Sequence, residues 1–89
     1  MPTPSSEHLP VSFASFVVSL AQSALMHLGE VAEPGTGLKH RDLELARNTI
    51  DLIGLLQEKT QGNLDSDEQK LVESVLYDLR TKFVQHAKA

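Results

Sequence analysis

The chain has 89 residues, with 12 acidic and 8 basic side chains for a formal charge of -4, and no cysteine. That length allows one domain at most. It excludes disulfide bracing and thiolate metal sites, and it leaves a core so small that association is a common source of the missing stability.

Residues 1–10 read as a disordered N-terminal lead. "MPTPSSEH" places no Lys or Arg ahead of the apolar run and contains Glu7, so it lacks the basic start of a secretory signal. The absent cysteines fit a reducing compartment, and the expected location is the cytoplasm. Residues 11–86 form a single helical domain on this reading, and 87–89 a tail.

"VSFASFVVSLAQSALMHL", Val11 to Leu28, is eighteen residues without Asp, Glu, Lys or Arg. Its spacing predicts a first helix, capped by Ser5, Ser6 or Ser12 with Pro10 suited to the first turn. Phe13, Ala14, Val17, Val18, Leu20, Ala21, Ala24, Leu25 and Leu28 share an apolar arc of about 160°. Ser12, Ser15, Ser19, Gln22, Ser23 and His27 lie opposite, interrupted by Phe16 and Met26. The helix is amphipathic, yet its polar face carries no formal charge.

"GEVAEPGTGLKHR", with three glycines and Pro34, breaks the chain from Gly29 to Arg41. A second helix is predicted from the N-cap Asp42 to Thr60. Leu43, Leu45, Ala46, Ile50, Leu52, Ile53 and Leu56 cover about 180° of its wheel, and Glu44, Arg47, Asp51 and Glu58 form the charged face. Gly62 suits the left-handed C′ position beyond it, with Leu64 able to fold back. A third helix is predicted over Asp67–Gln85, where Ser66 and Gln69 have capping-box spacing. Leu71, Val72, Val75, Leu76, Leu79 and Phe83 make its apolar arc of roughly 140°. The fold class is therefore all-α: a long N-terminal helix plus a C-terminal antiparallel αα-hairpin, assembled as a homodimer.

Three roles compete for the uncharged first helix. It can be a fully buried core helix, but two neighbours rarely cover a whole circumference in so short a chain. It can lie on a membrane, but eighteen residues with six Ser, Gln or His and no flanking basic residue suit neither a span nor an interfacial helix. The preferred role is a protein–protein seam. Ser15, Ser19 and Ser23, spaced by four, form a stripe of small side chains that lets backbones approach. Phe16 and Met26 supply anchors, and Gln22 shares the face. These six are the candidate partner-binding residues, and a second copy of the chain is the favoured partner, with another protein possible.

Chemistry-bearing patterns are weak. The four histidines, His8, His27, His40 and His86, have no zinc-site spacing, and no metal or cofactor is expected. "EPGTG" lacks the Lys and Ser/Thr of a phosphate loop. "DSDEQ" lacks the glycine and terminal Glu of a calcium loop. The carboxylates are spaced as caps and solvated faces, so no catalytic residues are assigned and the chain reads as a non-enzyme. The acidic balance, with one Tyr, three Phe and no Trp, argues against nucleic acid as a partner.

"SFVVSLAQSALMHLGE", "DLELARNTIDLIGLLQEKTQGNL" and, after an acidic cap, "LVESVLYDLR" together resemble the bacterial domain of unknown function family 1844. The resemblance covers Phe13 to Phe83 and is most specific over Thr49–Leu64, departing at Gln57, where an acidic residue is commoner. It implies a small, bacterial, cytoplasmic, all-helical protein and supplies no function. The residues themselves favour an interaction module that self-associates or docks through the first helix. The alternatives are an assembly subunit meeting a basic partner through the acidic second-helix face, and peripheral membrane association through the first helix.

Overall fold

A computed structural model of the chain describes residues 11–88 and contains three helices: α1 (Phe13–Leu28), α2 (Leu43–Lys59) and α3 (Ser66–Lys88). Among the described residues there is no strand, so the all-α expectation holds. The expected lead, with the candidate caps Ser5 and Ser6 and with Pro10, lies outside the described residues.

Ser12 caps α1. Its backbone is extended, its Oγ accepts the Ser15 N–H at 3.0 Å, and the Ser15 Oγ accepts the Ser12 N–H at 3.1 Å. This is a capping box with serine in place of the usual Glu or Gln. At the other end, Gly29 (φ +80°) donates to the Met26 carbonyl at 3.0 Å and Glu30 to the Leu25 carbonyl at 2.9 Å, a Schellman closure. Gly29 is required twice over. Its conformation is left-handed, and a Cβ there would sit 3.3 Å from the His40 carbonyl oxygen on the returning loop. The Asp42 N–H then donates to the His27 carbonyl at 2.7 Å, which ties the start of α2 to the end of α1 and sends α2 back along it.

Asp42 caps α2 as the sequence predicts, its carboxylate accepting the Leu45 N–H at 3.1 Å. The helix closes at Thr60, whose hydroxyl donates to the Leu56 carbonyl at 2.6 Å. Gly62 is left-handed (φ +85°) but stands one position beyond C′, because Thr60 takes the cap through its own hydroxyl. Leu64 is half-buried and packs against the core.

The capping box of α3 is a correction to the Ser66–Gln69 expectation. Asp65 and Glu68 make it instead: the Asp65 carboxylate accepts the Glu68 N–H at 2.8 Å, and the Glu68 carboxylate accepts the Asp65 N–H at 2.9 Å. Charge-assisted bonds from two carboxylates outcompete a hydroxyl and an amide, and Ser66 becomes the first helical residue. The helix runs three residues past Gln85.

Each helix contributes three side chains to one apolar centre: Val17, Ala24 and Leu28; Ala46, Ile50 and Ile53; Val72, Leu76 and Leu79. No polar or charged described residue is buried. The α3 arc packs as expected, and so does the α1 arc except at Val18, which is exposed; Phe13, Leu20, Leu25, Leu71, Val75 and Phe83 are half-buried around the centre. The α2 arc does not. Leu45 and Leu52, expected in the core, are 46% and 44% exposed. Two neighbouring helices cover only the Ala46–Ile50–Ile53 side of α2 and leave the rest of a 180° arc open.

The two left-handed glycines separate conformational strain from steric strain. Gly62→Ala meets nothing within 4 Å and should cost about 1 kcal/mol for the conformation alone. Gly29→Ala adds the contact with the loop backbone and should cost at least about 2 kcal/mol. Urea unfolding of both variants checks this; equal midpoints would remove the role assigned to the His40 contact.

Candidate interaction face

The uncharged side of α1 begins with its cap, so Ser15 has a local task. Besides accepting from the Ser12 N–H, its hydroxyl donates to the Ser12 carbonyl at 3.1 Å. Ser15 is therefore part of the helix start as well as the small-residue stripe. Phe16, Ser19 and Gln22 are exposed, while Ser23 and Met26 are half-buried. The six candidate residues thus fall into a committed end and an open middle.

What covers Met26 is informative. It borders a depression with Leu45, at the first turn of α2, and with His27, Arg41 and Asp42. Met26 of α1 and Leu45 of α2 thus line the same depression. On α2, Leu45, Leu52 and Leu55 succeed one another at seven and three residues, the a–a–d spacing of a coiled-coil seam. They are 44–48% exposed, and Phe16 on α1 is 49% exposed. α1 has no formal charge along its length. On α2, Arg47 approaches Asp51 at 3.9 Å with both side chains largely solvated, and Leu55 has Asp51 and Lys59 one turn away on either side. Leu45 and Leu52 announced themselves in the sequence as apolar. What periodicity could not tell is that they belong to an outer strip.

A second feature left no local signal in the sequence. His86, near the end of α3, reaches both ends of the α1–α2 loop. Its Nε2 lies 2.6 Å from the Glu30 carboxylate and its Nδ1 lies 3.3 Å from Arg41 Nη1. A guanidinium can only donate, so the arrangement is satisfied when Nδ1 accepts from Arg41 and Nε2–H donates to Glu30. The three residues stand 45 and 56 positions apart in pairs, which is why spacing rules do not find them. His27 sits half-buried in the last turn of α1, His40 is exposed in the loop, and His8 lies outside the described residues. Among the described residues, no group of three or more His, Asp or Glu is placed to hold a metal ion. No described helix is long and apolar enough to cross a membrane.

Three helices about a single apolar centre, with an uncharged outer strip, define a small all-α domain. The chain belongs to the family described as Domain of unknown function (DUF1844), which matches residues 10–85. Comparison with curated proteins and with solved structures found no match. The family's match spans all of α1 and α2 and most of α3, so the closures at Gly29 and Thr60 and the outer strip lie within it.

The His86 clasp yields its own test. His86→Ala removes both contacts and should lower stability by about 1–2 kcal/mol. Amide exchange should speed up in the loop from Glu30 to Arg41 and stay slow at Ile53 and Leu79. A loop whose exchange is unchanged would show that the clasp does not hold it.

Proposed function

We propose that this protein is a non-enzymatic helical interaction module that pairs with a second copy of itself through the outer sides of α1 and α2. The observation that carries the proposal is the strip of Phe16, Leu45, Leu52 and Leu55, each 44–49% exposed, beside a helix with no formal charge. Single exposed apolar side chains are ordinary; what supports a surface that is covered in use is that one exposed Phe and three exposed Leu fall on two packed helices, one of which carries no formal charge.

Energetics sets the expected strength. Each of these side chains has roughly half its surface left to bury, worth about 1 kcal/mol. Four per protomer give about 8 kcal/mol across a two-fold pair, within the roughly 4–15 kcal/mol that association costs. The pair is therefore weak and concentration-dependent, as befits a contact that forms and dissolves. A two-fold arrangement lets one strip serve both partners, and Ser19 and Ser23 allow the helices to approach closely.

Light scattering across a dilution series tests this reading. The parent should pass from monomer to dimer as concentration rises. Ser19→Lys and Leu52→Glu should each remain monomeric at concentrations where the parent is paired, while keeping the parent's helical circular dichroism. A parent that stays monomeric throughout would exclude self-pairing and assign the strip to a different protein. A dimer indifferent to both substitutions would move the interface to another face.

A further inference from the structure

Away from the α1–α2 strip, an open groove of about 590 Å³ runs along α3, with Gln57 of α2 and Glu73 on its rim and the buried Leu76 at its floor. Tyr77 (75% exposed) and Val84 (49% exposed) stand on its α3 side, one turn either side of Arg80. Arg80 lies across α2 at Gly54: a Cβ on that glycine would be 3.1 Å from Arg80 Nη2. Glycine inside a helix is unfavourable relative to alanine, and here its bareness gives the guanidinium a seat.

The guanidinium has no hydrogen bond or ion pair with any described residue. Its acidic neighbours are engaged elsewhere. Asp51, which borders the adjoining depression, meets Arg47, and the Glu73 carboxylate accepts from the Gln69 side chain at 3.3 Å. A planar group with five donors, held on a helix between apolar walls, matches a carboxylate in charge and geometry.

We infer that the groove beside α3 binds a small organic acid with an apolar tail, its carboxylate on Arg80 and its tail between Tyr77 and Val84 over Leu76. The volume is in the range of small-molecule sites. The openness of the groove to solvent makes the affinity modest.

The test is a ¹H–¹⁵N titration of the full chain with 4-phenylbutyrate and, separately, with its neutral amide. The acid should give saturable shifts centred on Tyr77, Arg80 and Val84, and the amide should bind at least about tenfold more weakly. Arg80→Gln should lose the same factor, and Gly54→Ala should weaken binding several-fold by displacing the guanidinium while favouring the helix. Lys59→Gln, which removes a positive charge outside the groove lining and leaves the Arg47–Asp51 pair in place, should bind like the parent. Equal response to acid and amide, unchanged binding by Arg80→Gln, or no saturable shift with the acid would each overturn the assignment. The backbone spectra of the variants report folding in the same experiment, and the outcome is independent of whether the chain pairs through α1 and α2.

Discussion

Nine side chains hold this fold, three from each helix, and their small number constrains everything else. Every helix buries a narrow stripe, spaced by three and four in α2 and α3 and by seven and four in α1. Ala24 and Ala46 are among the nine, so α1 and α2 meet partly through methyl groups and can lie close. A centre of this kind orients three helices and covers one side of each. It has no means of covering a half-circumference of apolar residues on α2, and the surplus appears on the outside as Leu45 and Leu52, with the exposed Leu55 beyond them.

Because the core is small, the ends of the helices carry much of the definition of the fold. Each junction is closed by a side chain suited to it: serines at the start of α1, Gly29 at its end, Asp42 and Thr60 around α2, Asp65 and Glu68 before α3. The α1–α2 connection is the longest and is held three ways. The Asp42 amide bonds the His27 carbonyl, Gly29 admits the returning backbone at His40, and His86 of α3 bridges Glu30 and Arg41. The last of these also fastens the distal turns of α3, which extend past the nine-residue centre.

Two surfaces are left over, and they differ in chemistry. The α1–α2 strip is broad, apolar and free of charge on one helix, which suits a helical partner with the same pattern. The groove beside α3 is centred on Arg80, which has no partner among the described residues and lies over Gly54, and that suits a ligand that brings a negative charge. α2 serves both surfaces from opposite flanks, with Leu52 on one and Gly54 on the other.

The helices, their number and nearly all their ends were legible in the sequence, because they depend on local chemistry: apolar periodicity, a capping side chain, a glycine where the backbone must turn left-handed. Ser12, Gly29 and Asp42 act where local rules place them. The cap of α3 moved by one residue, since Asp65 with Glu68 and Ser66 with Gln69 offer the same spacing and only the relative strength of the bonds decides between them. The sequence by itself also determined that the first helix would be uncharged on its outer side. The tertiary structure alone decided which part of the α2 arc is core and which is surface, that Met26 and Leu45 line one depression, that one imidazole joins Glu30 to Arg41, and that Gly54 lies under Arg80. The physical reason is that periodicity reports the direction of a side chain around its own helix, whereas burial and pairing depend on where the neighbouring helices stand.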